Sequence, residues 1–326
     1  MRDTISHEFV HAWNGKFRRP ADLWTPNYNV PMRDSLLWVY EGQTQYWGAV
    51  LAARAGFLTK AQALDAFAGV VAAYDTRAGR TWRPLQDTTN DPIIARRRAI
   101  PWTSWQRSED YYSEGQLLWL DVDTVIRQKS GGRRSLDDFA KRFYGSHDGD
   151  WGQVTYTFDD VVSTLNSVER HEWASFLRTR LDDPAPRTPL DAIERGGYRL
   201  VYTETQTDYA KAIETRRRVT DLSYSLGTTV DGNGRMTSIL WDSPVFRAGL
   251  TAGAQITAVN GIAFDGDRLR AAVRAAKDTG PAVELLVRRG DLYETIRLDY
   301  HNGLRYPRLE PIPGTPALLD DILSAR

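Results

Sequence analysis

The sequence predicts an α+β protein, mostly helical in its first half and β-rich in its second. Two changes of pattern carry this expectation. From residue 1 to about 180, apolar residues recur at helical spacing. Beyond Pro184-Ala185-Pro186 the spacing falls to two, and short apolar runs alternate with glycine turns. A length of 326 residues is enough for about two domains.

The helical elements follow in order. Residues 5–14 form the first. Residues 35–55 form a longer one, ended by Gly56, and Thr59 caps the next. Residues 109–129 make a helix stopped by Ser130-Gly131-Gly132. Ser135 and Thr157 open two more. After the proline break, residues 198–204 suit a strand. Asp231-Gly232-Asn233-Gly234 is a hairpin turn among short strands, and residues 267–277 are helical. Four prolines, at 307, 311, 313 and 316, predict an irregular tail.

Composition removes several functions. Lys+Arg 42 against Asp+Glu 42 gives no net charge, so neither nucleic acid nor an anionic membrane is the expected partner. Cys 0 excludes disulfides, thiolate catalysis, zinc fingers and Cys-ligated iron–sulfur clusters. No run reaches about 18 apolar residues, so no membrane insertion is expected. Residues 1–6 lack the apolar stretch of a secretion signal. Trp 11 and Tyr 15 point to an aromatic core or a ring-lined groove.

The chemistry starts at residue 7. His7-Glu8-Phe9-Val10-His11 is an H-E-x-x-H sequence. On a helix, positions i and i+4 share a face, so both imidazoles can meet one Zn²⁺. Glu8 beside them is placed to act as general base. A metzincin would need Gly and His where Asn14 and Phe17 stand, which excludes that class. Glu41, among Leu36, Leu37, Val39 and Tyr40, is a carboxylate in apolar surroundings that needs a partner. Asn14 either orients a ligand or caps the helix. Arg18-Arg19 and Arg96-Arg97-Arg98 suit solvated faces, and His171-Glu172 suits a surface helix.

HEFVHAWNGKFRRP, LWVYEGQTQYWG and YYSEGQLLWLDVDTVIRQKSGGRRSLDDFAKRFYG together resemble the M61 metallopeptidases, the glycyl aminopeptidase group. The resemblance implies a gluzincin (thermolysin-like) catalytic half. In it His7, His11 and Glu41 bind Zn²⁺ and Glu8 is the base. Tyr112, with Tyr111 as runner-up, donates a hydrogen bond to the developing oxyanion. The implied activity removes small amino-terminal residues, Gly or Ala, from a peptide or protein. A gluzincin also places a β-sheet before the H-E-x-x-H helix. The expectation is therefore the carboxy-terminal part of a longer, periplasmic or secreted protein, with the helices carrying Ile5, Trp38 and Tyr46 left uncovered.

Residues 222–300 resemble a bacterial PDZ domain through Ser243-Pro244, Ala248-Gly249-Leu250 and Val259-Asn260-Gly261. Gly253-Ala254-Gln255 departs from the usual Gly-Asp pair. The resemblance implies that Leu226 and Gly227 offer backbone N–H groups to a peptide carboxy terminus, the peptide adding beside the following strand. The expected division is a zinc-peptidase region over 1–195, a PDZ-like domain with its leading strand over 196–302, and a proline-rich tail over 303–326. The rival reading is a peptide-binding adaptor whose peptidase half is inactive.

Overall fold

The computed structural model describes residues 2–94, 102–184 and 190–325. The Arg96-Arg97-Arg98 cluster lies outside them. The chain opens with α1 (Arg2–Val10), β1 (Arg18–Pro20), α2 (Leu37–Tyr40), α3 (Gly42–Arg54) and α4 (Lys60–Asp75). Two short helices, α5 (Asp91–Ile94) and α6 (Thr103–Gln106), lead into α7 (Ser113–Ser130). There follow α8 (Leu136–Tyr144), β2 (Val154–Tyr156), α9 (Phe158–Val168), α10 (Trp173–Asp182) and α11 (Asp191–Arg195). Thr59, Ser135 and Thr157 each cap their helix through a capping box. Gly131 ends α7 in the left-handed conformation, at φ 61°.

The run at 35–55 is two helices rather than one. The chain breaks at Glu41, which ends α2 and starts α3. A break frees carbonyls that must find donors. Asn14 Nδ2 donates to Val39 O and Tyr40 O, Thr44 Oγ1 to Tyr40 O, and the Trp119 indole to Trp38 O. Trp38 and Tyr46 are fully buried, against the expectation of an open face. Ile5, Phe9 and Trp13 on the first helical stretch are exposed. Arg18 is also buried rather than solvated: it donates to Phe143 O and stacks on the Phe143 ring.

The second part comprises β3 (Tyr198–Thr203), α12 (Asp208–Arg217), β4 (Val219–Leu222), β5 (Thr228–Asp231), β6 (Met236–Ile239) and α13 (Pro244–Arg247). It continues through β7 (Gln255–Val259), β8 (Ile262–Ala263), α14 (Gly266–Ala275), β9 (Val283–Arg289) and β10 (Leu292–Leu298). The chain closes with β11 (Tyr306–Pro311) and α15 (Leu318–Leu323). Strands run β4-β5-β6 in one sheet and β10-β9-β7-β8 in another, around a core that includes Leu226, Val230, Val273 and Leu285.

The tail is ordered rather than irregular. β11 pairs antiparallel with β3, and Tyr198, Leu309, Leu319 and Ile322 join the core of the helical part. The strand at 198 therefore packs with the helical part, while the tail is shared: Leu304 and Tyr306 join the β-rich core, and Leu309, Leu319 and Ile322 the helical one. Pro307 and Pro311 are tolerated because β11 has a single strand neighbour, which leaves one edge needing no N–H.

Candidate metal centre

Three helix starts and ends converge on the site, and glycines let them approach. A Cβ on Gly48 of α3 would stand 3.0 Å from His7 Cβ, so α1 lies directly on α3 there. A Cβ on Gly42 would meet Gly115 Cα at 2.9 Å and Tyr111 O at 2.7 Å. The starts of α3 and α7 therefore cross at bare backbone. Glu41 precedes one crossing glycine and Tyr111-Tyr112 lies just before the other.

The result is a tight triangle. His7 Nε2 and His11 Nε2 are 3.2 Å apart, and Glu41 Oε2 lies 3.4 Å from each. Among the described residues, this is the group of His and carboxylate side chains able to hold a metal ion. Ligands about 2.0–2.1 Å from one tetrahedral ion stand about 3.3–3.4 Å from one another. The triangle fits that edge length. His11 Nδ1 donates to Asn14 O at 2.9 Å, which leaves the Nε2 lone pair facing the other two atoms. Glu41 Oε2 is buried and faces the two imidazole nitrogens. Three lone pairs at this separation repel unless a cation or shared protons sit between them. The donor set suits a divalent ion.

The electrostatics agree. Burial alone would raise the Glu41 carboxyl, but hydrogen bonds and charge from His11 and His7 outweigh it and hold it at about 2. Burial would lower His11, and Glu41 with the Asn14 carbonyl overcomes this to raise it. Glu8 is exposed, and its charge acts on both His11 and Tyr40. It does not join the triangle.

Tyr112 is half-buried, its ring stacked 6.3 Å from that of His7. Tyr111 is buried behind it, 4.8 Å away, and desolvation drives its phenol far up. Of the two, Tyr112 faces the imidazoles. Asn14 resolves into a tie rather than a cap. Its side chain spans Val39 O, Tyr40 O and Thr44 Oγ1, accepts from Tyr156, and so locks the end of α1 beside Glu41. Gly42, Gly48 and Gly115 were not singled out from the sequence, although a glycine inside an apolar helical run is the signal for close packing.

Leu226 and Gly227 lead into a strand that has no free edge. β5 pairs along its length with β4 on one side and with β6 on the other. The Gly227 N–H donates to Leu222 O, and a Cβ on Gly227 would fall 2.0 Å from Ser243 Cβ. The expected peptide addition beside β5 therefore has no edge to use, because β4 already fills it.

A helical scaffold thus carries a His-His-Glu triad. The fold is similar to that of an aminopeptidase N family protein from Idiomarina loihiensis, with a TM-score of 0.76 at 17% identity. The alignment covers 99% of this chain and 54% of that one, so the chain spans about half the length of that structure. Residues 1–118, which carry the triad and both tyrosines, match the M61 glycyl aminopeptidase family. No curated protein matches the chain.

Proposed function

We propose that the chain carries the centre of a zinc-dependent aminopeptidase that removes small amino-terminal residues, Gly or Ala, from peptides. The observation that carries this reading is the triangle of His7 Nε2, His11 Nε2 and Glu41 Oε2, with edges of 3.2 and 3.4 Å. These three would hold the zinc. When bound, it supplies Lewis acidity at the scissile carbonyl and acidifies a water.

The chain's own residues do the rest. The Glu8 carboxylate, exposed beside the triad, accepts a proton from the attacking water and passes it to the leaving amine. The Tyr112 phenol donates to the carbonyl oxygen as negative charge develops there. Asn14 keeps His11 turned by accepting from Nδ1 through its backbone carbonyl. We read the β-rich unit as PDZ-like. The pairing of β4 on β5 argues for a packing role rather than capture of a peptide terminus, which disfavours the adaptor reading.

Glu8→Gln tests the assignment. The amide keeps the shape and loses the base. The variant should bind one zinc per chain and lose at least a hundredfold in kcat on Gly-p-nitroanilide. Unchanged turnover would remove Glu8 from the mechanism, and loss of zinc would make it a ligand.

A further inference from the structure

Outside the triad, a buried set of charges flanks the two tyrosines in sequence. Arg107 is 1% exposed. Its Nε donates to Asp110 Oδ2 at 2.7 Å, one Nη to Glu114, and the other Nη to Arg83 O at 2.6 Å. Arg77 pairs with Asp110 at 2.8 Å, and Arg80 pairs with Glu114. Asp110 and Glu114 themselves are 1% and 4% exposed. In sequence these two carboxylates bracket Tyr111-Tyr112.

Such a knot is a poor way to gain stability. Desolvating three guanidiniums and two carboxylates consumes most of what their attraction returns, and apolar side chains of similar volume would serve as well. The backbone adds to the cost. Arg107 and Glu109 both stand at positive φ, 60° and 48°, without being glycine. The Glu109 N–H is held by Asp91 Oδ2 at 2.6 Å, and Arg83 holds the other oxygen of Asp91 at 2.6 Å.

What the knot provides is definition where local sequence provides little. α7 begins at Tyr112 with no side-chain cap. Its first free amides, those of Glu114 and Gly115, fall on the backbone carbonyl of Asp110, at 2.8 and 3.4 Å. The placement of Tyr112 therefore depends on where Asp110 and Glu114 are held. One guanidinium holds both.

We propose that Arg107 is a positioning residue for the reaction: by clamping Asp110 and Glu114 on either side of Tyr111-Tyr112, it sets the Tyr112 phenol against the His7 side of the triad. This rests on the reading of Tyr112 as oxyanion donor. Lysine in place of Arg107 keeps the charge but cannot span two carboxylates in a fork.

The test uses the zinc-loaded chain and Gly-p-nitroanilide. Arg107→Lys should keep one zinc per chain and a KM within about twofold, while kcat falls at least about tenfold, the scale set by misplacing a catalytic group by about 1 Å. In a Tyr112→Phe background the same substitution should cost less than about twofold, because the group it positions is gone. Arg127→Lys, in the buried Asp123 pair further along α7, is the structural control and should leave kcat unchanged. Asp110→Asn, which breaks the same clamp from the other side, serves if Arg107→Lys does not fold. Equal losses in both backgrounds, or a change confined to KM and zinc content, would overturn the proposal. If the unmodified chain shows no turnover, the peptidase reading itself fails. The clamp is then judged on the crystal structure of the lysine variant: a Tyr112 ring displaced from His7 supports it, and an unmoved ring overturns it.

Discussion

At Glu41 a helix break, a buried carboxylate and two imidazoles meet, and its chemistry has a consequence for pH. In the metal-free protein the depressed Glu41 contributes stability above its ordinary pKa of 4.5, lost as pH falls through about 2. The raised His11 contributes below 6.5, and this is lost as pH rises through its folded value. Zinc requires His11 neutral. Glu41 stays ionised over the ordinary range, so the protons that compete are those of the imidazoles, and the site strengthens the hold of His11 on its own. Zinc affinity should fall as pH drops from 8 towards 5.5, by at least about tenfold per unit once below the raised His11 value, with proton release on binding. Calorimetric titrations in two buffers of different ionisation enthalpy would measure both; a flat affinity and no proton release would contradict it. The two imidazoles of the candidate site were legible because H-E-x-x-H sets them about one helical turn apart, and Glu41 through the resemblance of the segment that carries it. Arg18 was not, because its partners, Phe143 O and the Phe143 ring, lie 125 positions away in sequence.

At the scale of elements, close approach decides the site. α1 rests on α3 through Gly48, with His7 on the contact. Gly48→Val would force the helices apart, and overpacking of this kind costs about 1–3 kcal/mol. It should also weaken zinc binding, because His7 moves with α1 while Glu41 stays with α3. Gly69 in α4 is the comparison: no atom lies within 4 Å of a Cβ there, and Gly69→Ala should add up to about 1 kcal/mol through helix propensity. Thermal unfolding and zinc titration of both variants would check this; a Gly48→Val protein with undiminished stability and affinity would contradict it. The capped helix starts were readable because Thr59, Ser135 and Thr157 act within one turn. The break at Glu41 was not, because apolar spacing runs straight through it and the donors that satisfy it, Asn14 and Trp119, come from elsewhere in the chain.

At the scale of the molecule, the pattern change near residue 180 marked where strands begin but not which core they join. β3 and β11 lie on opposite sides of the β-rich unit in sequence and pair with each other on the helical part. Prolines in the tail suggested irregularity, yet a two-stranded ribbon tolerates them. The β-rich unit in turn leans on the helical part next to the clamp: Trp241 stacks on Trp105 at 4.7 Å, and the Trp241 backbone N–H donates to Ser104 Oγ at 2.9 Å, both partners in α6, which Arg107 directly follows. All of this converges on three ligand atoms, and they provide the most direct test. Anomalous diffraction at the zinc edge, on crystals of the chain grown with one equivalent of zinc, should place a single ion about 2.0–2.1 Å from His7 Nε2, His11 Nε2 and Glu41 Oε2. Zinc bound elsewhere, or held by the two histidines with Glu41 turned away, would contradict the account.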